Sequence, residues 1–132
     1  MFCLEGTCGS KNKYFGCCDI HADKQIQENL KGVKLIKIMK ANDGVHKYVA
    51  VFEKNGRENH TPFGLAGFND FILWQKEGKQ YALERRDLYW MRHSKDLKTL
   101  NPTAAGYLSL FVLWNKPTLE ASISDYKRRF GL

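Results

Sequence analysis

The apolar positions of this chain change character along its length and mark out three zones. Residues 1–23 mix Cys, Gly and Lys with few large apolar side chains, residues 33–63 hold short β-branched and aromatic runs, and residues 79–130 carry apolar side chains at helical spacing. The runs VKLIKIMK at 33–40 and KYVAVFEK at 47–54 read as strands, because branched and aromatic side chains pack well on a pleated surface. Asn42-Asp43-Gly44 separates the two runs and Asn55-Gly56 follows the second. Both are hairpin signals, since Asp-Gly and Asn-Gly tolerate the positive φ of a tight turn. Residues 57–63 then complete an antiparallel meander, with Pro62 confined to an edge or an end because proline has no N–H to give to a ladder. Residues 24–31, KQIQENLK, place Ile26 and Leu30 four apart and suit a short helix or a linker.

Beyond the meander, FGLAGFND at 63–70 sets glycines three apart among aromatics, the pattern of a tight loop whose backbone approaches a packed surface. Residues 79–95, KQYALERRDLYWMRHSK, contain neither Gly nor Pro and predict a helix. Tyr81, Leu88 and Met91 define its apolar face, with Arg85, Arg86, Arg92 and Lys95 largely off it. Asn101-Pro102 reads as a helix start, a capping side chain followed by a proline at the first helical position. Residues 104–114 are apolar nearly all round, which predicts the buried centre of the tail. In the last helix Leu119, Ile123, Tyr126 and Phe130 share one face, while Lys127, Arg128 and Arg129 sit in the final turn, complementing the macrodipole, before a stop at Gly131. Together these patterns predict an α+β fold: a three-stranded antiparallel meander packed on two to three helices, as a single domain over 24–132, with a separate head over 1–23.

Composition agrees with a folded chain. At 132 residues, 43% hydrophobic and 13% aromatic, the sequence is far from the low hydrophobicity of disorder. A chain of this length forms one core and hides roughly two-thirds of the surface it exposes when unfolded. The net charge of +7, from 21 Lys+Arg against 14 Asp+Glu, suits a polyanion, an acidic protein neighbour or solubility alone. No apolar run reaches the ~20 residues of a membrane span. Residues 1–16 have neither a basic start nor an apolar stretch of the kind that directs secretion, so a reducing compartment is expected.

In such a compartment the clustering of all four cysteines within the first 18 residues favours metal over disulfides. Cys3, Cys8, Cys18 and His21 have the spacing C-x4-C-x9-C-x2-H, with Cys17 as an alternative third ligand and nearby glycines to bend the chain round a tetrahedral zinc. Four protein ligands leave no open position, so such a zinc is structural. The other reading of this head is a set of free thiols. Catalytic signals are sparse. His60 and His93 could be paired with Asp70 for acid/base work, but no Ser or Cys stands in a nucleophile elbow and neither GxxxxGK[ST] nor GxGxxG occurs. Two binding sets remain. Arg85, Arg86, Arg92 and Lys95, interleaved with Tyr89 and Trp90, could follow a nucleic-acid backbone. Phe68, Phe71 and Trp74, with Ile72, could form an apolar patch for a protein partner.

The motifs FGxxGxxD (Phe63 to Asp70), RxxYxxRH (Arg86 to His93), TAAG (Thr103 to Gly106) and LWNKPTLxxSIxDYKxRF (Leu113 to Phe130) resemble those of an uncharacterised family of small proteins of nucleocytoplasmic large DNA viruses. The resemblance runs from Lys34 to Phe130 and includes KYVAVF from Lys47 to Phe52. Two features depart from that pattern: FILWQKEGKQ follows Asp70 where the family continues in charged residues, and the cysteine-rich head is additional. The resemblance implies a viral origin and no assigned catalytic set. From it we expect a non-enzymatic structural protein, a minor capsid or virion component made in the host cytoplasm, whose partners are other virion or capsid proteins. The alternative expectation is a basic, zinc-containing nucleic-acid-binding protein. For the head, elemental analysis of the reduced protein should find about one equivalent of zinc, falling below roughly half on Cys8→Ser. A lower content that Cys8→Ser leaves unchanged would reject the knuckle.

Overall fold

The computed structural model describes residues 24–132, so the zinc-knuckle candidates Cys3, Cys8, Cys17, Cys18 and His21 lie outside the described residues. The fold is α+β. Its order is α1 (Lys24–Asn29), β1 (Val33–Lys40), β2 (His46–Lys54), β3 (Arg57–Leu65), α2 (Phe71–Trp74), α3 (Lys79–His93), α4 (Ala105–Leu108) and α5 (Leu119–Phe130). The strands form one antiparallel sheet in the order β1-β2-β3, as the meander reading expects. Among the described residues five α-helices accompany it, two of them, α2 and α4, only four residues long.

Hairpin chemistry sets the sheet. Asn55 and Gly56 both take positive φ, 54° and 79°, which matches the twist of the flanking strands. Asp43 works differently from the expectation: only Gly44 has positive φ, and the Asp43 carboxylate closes the loop by accepting from the backbone N–H groups of Val45 and His46 at 2.9 and 2.8 Å. Those hydrogen bonds, together with the His46 ring, hold the Asp43 carboxyl well below its ordinary value. A bulge at Ile36 shifts the register between Leu35 and Lys37. It brings both Leu35 and Ile38, three apart, against the core while Ile36 faces out. Lysines at 34, 37 and 40 then guard this edge strand, and Pro62 sits on the opposite edge, β3.

The core centres on residues 107–114. After one α-helical turn the chain widens into a π-helical turn, Ser109–Leu113, closed by Trp114 N–H donating to the Ser109 carbonyl at 3.1 Å. Tyr107, Leu108, Leu110, Phe111, Val112, Leu113 and Trp114 are all buried. The helix starts later than the sequence suggests. Asn101 accepts from the N–H and hydroxyl of Thr103, so Pro102 belongs to a preceding turn and not to the first helical position. α5 packs on this segment through Tyr126 and Phe130, with Leu119 and Ile123 at its margin. Thr118 caps its start by accepting from Ala121 N–H at 3.2 Å, and Gly131 ends it.

Lys127, Arg128 and Arg129 do occupy the last turn of α5, and one of them has a further role. Arg129 is only 1% exposed, its Nε donating to Asp125 Oδ2 at 2.7 Å. Arg128 and Asn115 also donate to the Asp125 carboxylate, each at 2.6 Å. Burial pushes this carboxyl up, but the hydrogen bond and charge of Arg129, then the bonds from Asn115 and Arg128, outweigh it and hold it below its ordinary value. A group depressed in this way stabilises the fold above the ordinary carboxylate pKa of about 4 and loses that contribution as pH falls through the lowered value. Asp125→Asn should therefore lower stability near pH 7 by about 3 kcal/mol, since Arg129 keeps its buried charge without the counter-charge. Denaturant titrations as a function of pH should show that deficit shrinking on acidification.

Candidate functional site

A cleft of about 480 Å³ lies between the start of β2 and the end of β3, the loop and α2 that follow, α3, and the segment that begins at Ala105. Each wall follows from local chemistry. The end of β3, from which the loop springs, keeps close to the core because Gly64, at φ 77°, has no side chain: a Cβ there would lie 2.7 Å from Leu113 Cδ1. Asp70 ends the loop with both oxygens engaged, Oδ1 accepting from Leu73 N–H at 2.9 Å to cap α2, and Oδ2 from Lys47 Nζ at 2.7 Å. α3 is fastened to the end of the buried segment by two donors, Trp90 Nε1–H to the Trp114 carbonyl at 2.6 Å and Arg86 Nη1–H to the Asn115 carbonyl at 2.9 Å.

The face that α3 turns inward is not the one its apolar residues suggest. Ala82 and Trp90 are buried, Arg86 and Tyr89 are half-buried, and Tyr81 and Met91 are 42% and 52% exposed. Trp90 takes the deepest position because its ring meets Phe111 edge-on, with centroids 5.3 Å apart, and its N–H has a carbonyl to reach. That choice rotates Tyr81, Leu88 and Met91 outward.

The proposed nucleic-acid set is therefore divided. Arg86 is structural: its guanidinium lies 4.9 Å from the Phe71 ring centroid, and burial lowers its pKa, with Asp87 opposing. Arg85 and Arg92 line the cleft, and Lys95 is exposed in the turn that follows α3. The protein-contact set divides too. Phe71 is 2% exposed and belongs to the core, a correction that follows from its place directly after the Asp70 cap, where α2 turns it against the interior. Phe68 is 66% exposed at the cleft, and Trp74 lines it beside Arg85. Sequence reasoning missed Leu65 and Leu88 as exposed cleft residues, although the pairing of Leu65 with the loop glycines was visible.

The cleft's aromatic rings are largely occupied with one another. Tyr89 stacks on Trp114 at 4.2 Å and on His93 at 4.1 Å, and burial pushes its phenol pKa up. Trp74 receives Arg85 over its face at 5.3 Å and Tyr81 against its edge at 5.3 Å. His46 and His93 line the cleft with Asp70, while His60 lies outside it. His60 contacts Glu58 on the exposed strand, His46 contacts Asp43, and His93 lies 3.8 Å from Asp96. Asp70, considered as their acid/base partner, instead pairs with Lys47.

Among the described residues no group of His, Cys, Asp and Glu gathers as a metal site, and no helix is long and apolar enough to cross a membrane. No family model, curated protein or solved structure matches the chain. The division of the aromatic set is directly measurable by thermal or denaturant unfolding. Phe68→Ala should leave stability within about 0.5 kcal/mol, whereas Phe71→Ala should cost about 3–5 kcal/mol.

Proposed function

We propose that this protein is a non-enzymatic structural component of a large DNA virus, a minor capsid or virion protein that acts through protein–protein contacts. The observation that carries this reading is the open apolar rim of the cleft, where Leu65, Phe68 and Leu88 stand exposed beside Trp74 and Arg85. Aromatic and arginine side chains at the centre of an apolar patch are the residue types that dominate protein interfaces. The motifs shared with the viral family, LWNKPTL above all, supply the viral setting. The head's cysteines and His21 would add a structural zinc clasp, with Cys17 or Cys18 as the third ligand.

Binding to nucleic acid is the second reading, favoured by the two open cations, Arg85 and Arg92, in one cleft. Its support is weakened by Arg86, which is engaged inside the fold, and by the stacking of Tyr89 on Trp114 and His93, which leaves no run of free ring faces for bases. Quantitative mass spectrometry of purified particles separates the two. A capsid component should be present at a fixed, high copy number that survives nuclease treatment of opened particles. Absence from particles, or loss with the nucleic acid, contradicts the structural role.

A further inference from the structure

The chemistry inside the cleft narrows what the rim receives. We propose that the cleft holds an extended acidic segment of a partner protein, one carboxylate on Arg85 and a neighbouring large apolar side chain against Phe68 and Leu88; this rests on the protein-docking reading above.

Charge balance is the first support. Lys47, Arg85 and Arg92 line the cleft, but Lys47 is neutralised by Asp70 at 2.7 Å. The uncompensated charge is therefore that of Arg85 and Arg92, both on α3. Neither makes an ion pair or a hydrogen bond with any described residue.

Arg85 supplies the second support. Its guanidinium is held over the Trp74 ring, and its Nε is sealed from solvent without an acceptor among the described residues. A sealed N–H with no partner is costly. A carboxylate cannot reach the sealed Nε, but arriving end-on it accepts from both Nη groups, in the bidentate geometry that arginine is shaped for, and gives the guanidinium the anionic partner it lacks. Because Trp74 already fixes the guanidinium plane, little side-chain freedom is lost on binding.

Spacing gives the segment its form. Arg85 and Arg92 are seven residues apart in α3, about 10 Å along a helix axis at ~1.5 Å per residue. In a segment of polyproline II form, residues three apart share one face and are separated by about 9 Å. A segment with acidic residues three apart and an apolar residue between them matches both arginines and the rim. The stacked rings described above disfavour a nucleic-acid strand as occupant, since each base would need a free aromatic face.

The test is selection from a phage-displayed random dodecapeptide library on the full chain, followed by titration of the enriched peptide made synthetically. Enriched sequences should carry Asp or Glu beside a large apolar residue. Arg85→Gln should weaken the peptide about tenfold, replacing the peptide's acid by its amide should do the same, and the two changes should not add. Phe68→Ala, at an exposed position, should weaken binding without altering the thermal transition. Enriched sequences with no acidic preference, or an unchanged affinity for Arg85→Gln, overturn the carboxylate assignment; loss of the same peptides on Phe68→Ala would then leave the protein-docking reading standing. Failure to enrich any peptide, with an oligothymidylate bound in a manner sensitive to Arg85→Gln, overturns both.

Discussion

Residues 107–114 must bury side chains on almost every side, and the rest of the molecule is arranged to let them. A helical segment apolar all round is stable only when neighbours cover each face. Here the sheet, α3 and α5 do so, and the widened turn at Ser109–Leu113 presents Leu110, Phe111, Val112 and Leu113 to the interior in succession. Phe111 is the meeting point, with Trp90, Tyr107 and Phe130 all packed on its ring. Polar groups that enter this interior bring partners: Tyr107 and Tyr126 donate to the Leu97 and Pro102 carbonyls at 2.6 and 2.7 Å. Burial without such acceptors would cost more than the rings return.

The same packing produces the cleft. The end of the buried segment offers the Trp114 and Asn115 carbonyls as anchors for α3. Once Trp90 and Arg86 are fixed there, Arg85, Leu88 and Arg92 have no choice but to face the loop after β3. Gly64, near the end of β3, and the Lys47–Asp70 pair hold that loop at the other side. α3 thus divides by face: the inward face closes the core, and the face toward the cleft is the one to which the docking role is proposed.

Much of this was legible from the sequence, and the misses have physical causes. Strands β1 to β3, the Asn55-Gly56 turn, the edge position of Pro62 and the apolar stripe of α5 all rest on local rules, and the structure agrees with them. The inward face of α3 was not legible, because Trp90 and the stem of Arg86 outweigh Tyr81 and Met91 only when Phe111, Phe71 and the Asn115 carbonyl are in place. Arg129 escaped for a similar reason: a cation in a last helical turn is ordinarily solvated, and only the proximity of Asp125 and Asn115 shows why this one is buried. Phe71 and Phe68 lie three apart, yet one is core and the other rim. The Asp70 cap between them decides which way each turns.

The buried segment and α3 form one unit, joined at the Trp114 and Asn115 carbonyls, so that the cleft exists before any partner arrives. Native-state hydrogen exchange of the Trp90 indole N–H, followed by NMR, tests it most directly. The proton donates to the Trp114 carbonyl inside the core, and it should exchange only through global unfolding, with an opening free energy equal to that from denaturant melts. Exchange through a local opening several-fold cheaper in free energy would show that α3 detaches on its own, and would contradict a preformed cleft.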